Sequence, residues 1–427
     1  SGIAEHDGMR WMRSGLVVVA AAVVCASLSA CAGTVGRAAR AGPPPVILVS
    51  LDGFHPDLLD PELTPTLARL AREGVRAEGM RPSYPSLTFP NHYTLVTGLR
   101  PDRHGIVDND MRDPQLGRFS LHDRAAVEDA RWWGGEPLWN SLAREGRRSA
   151  TMFWPGSEAP IQGRHPQRWR RFDESLPISK RVAQVLAWLA VSPDARPDFV
   201  TLYFEHTDHA GHDHGPLSNQ QRSAAHAVDM ALEQLVRGLE RLGLEANLVI
   251  VSDHGMAEIA LDRLIAIEDV VLPDAVDVFT SGSMLTLAPR PGRESEVETA
   301  LRAAPPQMQC WPKSELPSQW HYGTHPRIPP WVCQMATGWR IHSADRIAEW
   351  RRHPPGRRGA HGYDPFDPSM RALFVAHGPG FVSGSHLTLF DNLHVHALLA
   401  HLLDVDANTG EGSLEVFAPV LRTDTEP

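Results

Sequence analysis

Val46-Ile-Leu-Val-Ser-Leu-Asp-Gly53 is the stretch whose reading decides the fold. Five of its first six residues are apolar, and no alternation breaks the run. A strand of that kind is buried on both faces, so helices must cover both sides of its sheet. The pattern recurs at Phe199-Val-Thr-Leu-Tyr-Phe204, which runs into Glu205-His-Thr-Asp208, and at Leu248-Val-Ile-Val251, which runs into Ser252-Asp-His-Gly255. Strands are also predicted at 149–153 and 372–376. Helical spacing falls between them, at 138–146, 178–191, 219–241 and 393–403. A helix after Thr64 is predicted too, with Thr64 as N-cap, Pro65 in the first turn and Gly74 as its stop. Alternating strands and helices define an α/β protein with a mostly parallel, doubly wound sheet. Asp52, Asp208, Asp253 and His254 then lie just past the C-terminal ends of strands, where open α/β sheets bind ligands.

Composition narrows the setting. The chain has 427 residues, 42% hydrophobic and 22% charged, enough for one large core or two smaller ones. A formal net charge of −10 speaks against specific binding of nucleic-acid duplexes. It does not exclude an anionic substrate, because bound cations dominate the field of a site that holds them. Residues 9–31 read as a signal segment: Met9-Arg-Trp-Met-Arg13 is basic, the following apolar stretch is short, and Leu28-Ser-Ala-Cys31 resembles a bacterial lipobox. The expected product is an exported protein, periplasmic or at the cell surface, lipid-anchored at Cys31 and touching the membrane only through that anchor. Residues 32–45 read as a tether, 46–404 as the catalytic domain and 405–427 as a C-terminal tail. The stretch of about 256–360 lacks regular alternation and reads as an inserted cap. It contains Cys310 and Cys333, expected to pair as a disulfide in an oxidising compartment. A monomer is expected.

The chemistry centres on Tyr84-Pro-Ser-Leu-Thr-Phe-Pro-Asn-His92. Thr88 is the candidate nucleophile, and a threonine hydroxyl needs activation. No serine-histidine-aspartate spacing surrounds it. Asp and His instead occur at Asp52, at Asp208 with His212, at Asp253 with His254, and at His361. Oxygen and imidazole donors without thiolate fit catalytic zinc. Spacing alone leaves His361 level with His353 and His377, and leaves Asn109 readable as a turn residue.

These runs, together with Leu95-Val-Thr-Gly98, His104-Gly-Ile-Val107, His361-Gly-Tyr363 and Ala376-His-Gly-Pro379, resemble the bacterial nucleotide pyrophosphatase/phosphodiesterase family of the alkaline phosphatase superfamily. The resemblance spans nearly all of residues 46–404, in the family's motif order. It implies an alkaline-phosphatase-type sheet and two Zn²⁺. One would be held by Asp208, His212 and His361. The other would be held by Asp52, Asp253 and His254, with the Thr88 oxygen as a further ligand. Asn109 and the backbone N–H of Phe89 would stabilise a phosphate oxygen. Thr88 would attack phosphorus, and a zinc-bound hydroxide, its pKa lowered from about 16 to about 7, would hydrolyse the phosphothreonine.

Sulfatases follow their nucleophile with Pro and Arg two and four residues on, whereas Thr88 is followed by Pro90 and His92. No motif arginine meets the doubly charged phosphate of a monoester, so a diester is expected. Phe89 and Tyr203 are expected to sandwich a nucleobase, giving nucleotide substrates and nucleoside 5′-monophosphate products. The rivals are a glycerophospholipid or choline-phosphate diesterase on the same metals, with a choline box hidden in the Trp-rich insert, and a zinc-binding lipoprotein without catalysis.

Overall fold

Val46–Leu51 lies inside an eight-stranded sheet in the computed structural model, which describes residues 42–407 and 410–423. Cys31, the signal segment and most of the tether lie outside the described residues. The strand order is Ser385–Leu387, Val75–Ala77, Phe374–His377, Asn247–Val251, Val46–Leu51, Phe199–Phe204, Ser149–Met152 and Arg168–Arg170. Only Phe374–His377 runs against its neighbours; the other pairings are parallel. Side chains of Val46–Leu51 point alternately to the two faces. Val46 and Leu48 join one core, and Ile47, Val49 and Leu51 the other. Each such fully buried side chain contributes about 1.5–3 kcal/mol.

Helices Thr88–Thr97, Leu138–Arg144 and His394–Leu403 cover the first face. Helices Pro65–Glu73, Ile178–Leu189 and Asn219–Leu242 cover the second. The sheet is doubly wound, with helices on both faces as predicted. Thr64 sits at the predicted N-cap but does not cap with its side chain; its hydroxyl bonds to the Leu58 carbonyl instead. Asp229, from the neighbouring helix, accepts the free N–H groups of Thr66 and Leu67 at 3.1 and 2.7 Å. A cap supplied from 163 residues away leaves no local sequence signal.

The stretch read as an inserted cap carries a four-stranded antiparallel sheet, ordered Val276–Thr280, Met284–Pro289, Trp331–Met335 and Met308–Pro312. Helix Glu294–Arg302 packs on it, and Leu285, Leu287, Val297 and Cys333 belong to a third core. Cys310 and Cys333 face each other across two of these strands and are bonded. Trp320 leaves the insert to stack on Tyr84 at 4.1 Å, and so ties it to the main body. The C-terminal stretch is not a tail throughout. Leu414–Val420 forms a 3-10 helix whose Phe417 is fully buried against Phe374 and Phe390.

Candidate active site

The site is built where three strands end. Asp52 follows Val46–Leu51, and Asp253 with His254 follows Asn247–Val251. Gly53 turns the first connection at φ +64°, and its N–H donates to Asp253 Oδ1 at 3.1 Å. A Cβ there would lie 2.9 Å from the Asp208 Cα, so only glycine fits. Asp208 and His212 lie one helical turn apart on His206–His214, which begins two residues after strand Phe199–Phe204. The i, i+4 relation stacks them on one helix face. Gly211 and the polar, histidine-rich run hid this helix.

Two tight donor groups result: Asp208 with His254 and His361, and Asp52 with Asp253 and His254. His212 stands beside the first, its Nε2 3.4 Å from Asp208 Oδ1, while the His361 Nε2 lies 3.6 Å from that same oxygen. The His254 Nε2 lies 3.0 Å from Asp253 Oδ2 and 3.6 Å from Asp52 Oδ1. Each imidazole is fixed from behind. Nδ1 of His212, His254 and His361 lies 2.9 Å from the carbonyl of Gly359, Gly255 and Ser86 respectively. Donation from Nδ1 turns each Nε2 to the carboxylates, the ring atom that a metal would take.

Charge in this cluster asks for cations. Asp52 Oδ1, Asp208 Oδ1 and Asp253 Oδ2 are buried and accept no hydrogen bond, a costly state for carboxylates. Burial, then the charges of Asp253 and Asp208, push the Asp52 carboxyl well above the usual range. Burial opposes ionisation of Asp253 as well, but His254 and His92 outweigh it and hold that carboxyl low. Burial and neighbouring imidazoles push His361 well down, so it is neutral. Unpartnered acceptors, neutral imidazole and no thiolate fit divalent metals of the zinc type.

Thr88 opens helix Thr88–Thr97, and its Oγ1 lies 3.3 Å from the His254 Nε2. This helix was not predicted, because eight of its ten residues are buried and no polar face marks a period. His92, one turn on, contacts the Thr88 carbonyl through Nδ1 at 2.9 Å and Ser50 Oγ through Nε2 at 2.8 Å. The Phe89 N–H donates to Asn109 Oδ1 at 3.0 Å. The two groups expected to share a phosphate oxygen are thus joined to each other, which leaves Asn109 Nδ2 as the available donor.

Thr88, Phe89, Asn109, Asp52, Asp208, His212 and His361 share one cavity of about 480 Å³. Tyr203 differs from its expected place in an aromatic sandwich. Its hydroxyl donates to Asp52 Oδ2 at 2.6 Å, and its ring lies edge-on to His92 and Phe172. Burial raises its pKa well above the ordinary value, so it stays protonated and donates. Phe172, absent from the sequence expectations, is half-buried on the cavity wall in front of Tyr203. Glu158 receives its N–H and is bridged by Arg124, which also donates to the Phe172 carbonyl. Phe172 follows the arginine-rich 164–171 run, and nothing in that spacing marks it.

A doubly wound sheet that brings a threonine hydroxyl against paired carboxylate–imidazole groups has the layout of the metal-assisted hydrolases of the alkaline phosphatase type. The profile described as "Type I phosphodiesterase / nucleotide pyrophosphatase" matches residues 46–364, and the chain belongs to that family. Venom phosphodiesterase CdcPDE of Crotalus durissus collilineatus is 36% identical over 389 residues, covering 86% of this chain and 45% of the venom protein. A pyrophosphatase/phosphodiesterase of Schizosaccharomyces pombe is 35% identical, covering 88% and 80%. The chain spans about half the length of the venom proteins it matches. Human ectonucleotide pyrophosphatase/phosphodiesterase 5 superposes with a TM-score of 0.83 at 32% identity, covering 89% of this chain and 100% of that one. The murine counterpart, an inactive variant in complex with AMP, matches equally. These relatives are animal and fungal, so they support the family and not its bacterial branch.

Proposed function

We propose that this chain is a two-zinc phosphodiesterase/pyrophosphatase that cleaves nucleotide phosphodiester and pyrophosphate bonds and releases nucleoside 5′-monophosphates. The observation that carries this reading is Thr88 Oγ1, 3.3 Å from the His254 Nε2 and lining one cavity with Asp52, Asp208, His361, Phe89 and Phe172. Asp208, His212 and His361 would hold one cation, and Asp52, Asp253 and His254 the other. Such cations neutralise phosphate charge and make coordinated oxygens nucleophilic near neutral pH.

Thr88 supplies the attacking oxygen and forms a phosphothreonine as the leaving oxygen departs on the opposite side of phosphorus. Water then attacks from that opposite side and frees the monophosphate. Asn109 Nδ2 holds a non-bridging oxygen as charge builds. Phe89 and Phe172 bind the base by stacking, worth ~1–3 kcal/mol per base, while Tyr203 orients Asp52.

The choline alternative is weaker. A choline site needs free carboxylates beside aromatic rings. Glu158 is paired with Arg124, and Glu205 with Arg181. Trp320 and Trp331 of the insert are buried in cores, and no tryptophan of the insert lines the cavity that holds Thr88. From its sequence, we also propose that the chain is a monomeric bacterial lipoprotein, exported and anchored at Cys31. Its test is mass spectrometry of the mature N-terminus, where an unmodified Cys31 would refute anchoring.

The deciding experiment is turnover of zinc-loaded protein on a nucleotide diester, a nucleoside triphosphate, glycerophosphocholine and a phosphate monoester. Fast release of nucleoside monophosphate from the first two supports the proposal. Preference for either of the others contradicts it.

A further inference from the structure

Strand Arg340–His342 and helix Ala344–Arg352 contribute to the wall of a second cavity, of about 670 Å³. That volume lies within the range that holds small-molecule ligands. Among the described residues, only His212 lines both this cavity and the one that holds Thr88, and it divides them.

The charges of the second cavity do not balance. Its wall carries Arg340, Arg346, Arg357 and Arg358 against one carboxylate, Glu258. Arg357 pairs with Glu258, and Arg358 with Asp213, each at 2.6 Å. Arg340 and Arg346 are left with no carboxylate partner among the described residues. Arg346 is exposed, so water solvates it at little cost. Arg340 is the costly one: its Nε is buried and has no hydrogen-bond acceptor. Burial, with the charge of Arg346 beside it, holds the Arg340 pKa below the ordinary value, yet a guanidinium does not give up its proton. His342, two residues further along the strand, adds no third charge, because burial and both arginines push its pKa down to about 3. Trp350 completes the group. Its ring lies 5.4 Å from the Arg346 guanidinium and edge-on to His342 at 5.0 Å, and it lines the cavity.

Two uncompensated guanidinium groups match a dianion. A phosphate monoester carries about two negative charges near neutral pH and offers three acceptor oxygens. A diester or a carboxylate carries one charge and would leave the other guanidinium unmatched. Guanidinium forks bind such oxygens in charge-assisted pairs.

We propose that this cavity is a second binding site, separate from the catalytic one, for a terminal phosphate group, with Arg340 and Arg346 taking the dianion and Trp350 lining the space for whatever the phosphate carries. The ligand is inorganic phosphate or a nucleoside 5′-monophosphate, which share that chemistry. The site requires neither Thr88 nor a bound metal.

The test is isothermal titration of the zinc-loaded full chain with inorganic phosphate, AMP and adenosine, on wild type, Arg346→Glu and Arg340→Met. Arg346 is exposed, so its variant should fold, and turnover of the p-nitrophenyl ester of thymidine 5′-monophosphate should stay within about twofold. Wild type should bind one equivalent of AMP that Arg346→Glu and Arg340→Met each bind about tenfold or more weakly. AMP tighter than phosphate at that equivalent assigns the nucleotide as ligand; equal affinities assign the phosphate group alone. Arg340→Met also removes an unpartnered buried charge, so its Tm should equal or exceed that of wild type. Identical titrations of wild type and Arg346→Glu overturn the site, as does adenosine binding as tightly as AMP. A lower Tm in Arg340→Met, with AMP binding unchanged, would show that the fold itself satisfies Arg340 and would also overturn it. A wild type that binds AMP as expected but turns over no ester contradicts the Thr88 reading and leaves this site standing.

Discussion

The Tyr203 hydroxyl donates to Asp52 Oδ2 at 2.6 Å, while Asp52 Oδ1 accepts no hydrogen bond in its buried position. One carboxylate oxygen is pinned so that the other faces the cluster. Tyr203→Phe keeps the ring and removes the pin. It should weaken zinc affinity by ~10-fold or more, as loss of an outer partner typically does, and leave KM for a nucleotide ester little changed. Phe172→Ala should do the reverse, raising KM by the ~1–3 kcal/mol of a lost stacking contact. Zinc titration and steady-state kinetics on both variants check the pair; normal zinc affinity in Tyr203→Phe would contradict the pin, and an unchanged KM in Phe172→Ala would contradict the stacking role.

Chelation should abolish turnover, and added zinc should restore it. A ligand that binds only the folded chain also stabilises it, by ~2.7 kcal/mol at 100-fold excess over Kd. Tm of chelated protein should therefore rise as zinc is added. A Tm indifferent to zinc would contradict the two-cation account, whatever the kinetics.

Arg181 is fully buried and makes two hydrogen bonds to Glu205, at the cavity edge. Removing one partner strands a buried charge. Arg181→Met should cost ~3–5 kcal/mol in denaturant unfolding, and the double change Arg181→Met with Glu205→Leu should recover much of it. A single variant as stable as wild type would mean that the pair is screened by water.

The Cys310–Cys333 bond closes a loop of 23 residues within the cap sheet. Cys333→Ser should lower stability by ~2–4 kcal/mol, read as a lower Tm, and reductant should have the same effect on wild type. Equal Tm values in oxidised and reduced protein would count against a bonded pair.

The central sheet and the positions of Asp52, Asp208, Asp253 and His254 were legible, because doubly buried strands announce themselves as unbroken apolar runs and their ends are the ligand edge. Helices Thr88–Thr97 and His206–His214 were not. The first is buried nearly all round and the second is polar, so neither shows a 3.6-residue period. His361 needed family resemblance, since no local spacing distinguishes it from His353 or His377. Phe172 and the Asp229 cap depend on contacts made across the fold, and Phe417 on a short apolar turn after the last predicted helix. Tyr203 was placed on the right wall, but one layer too far forward, because its register on the strand fixes where the ring begins and not what its hydroxyl meets.

The most direct test of the account is Thr88→Ala, assayed for release of nucleoside monophosphate from a nucleotide diester with zinc content measured on the same sample. Asp52, Asp208, His212, Asp253, His254 and His361 remain in this variant, so zinc should be retained while turnover falls by several orders of magnitude. Unchanged turnover with zinc in place would contradict Thr88 as the nucleophile, and with it the phosphothreonine route.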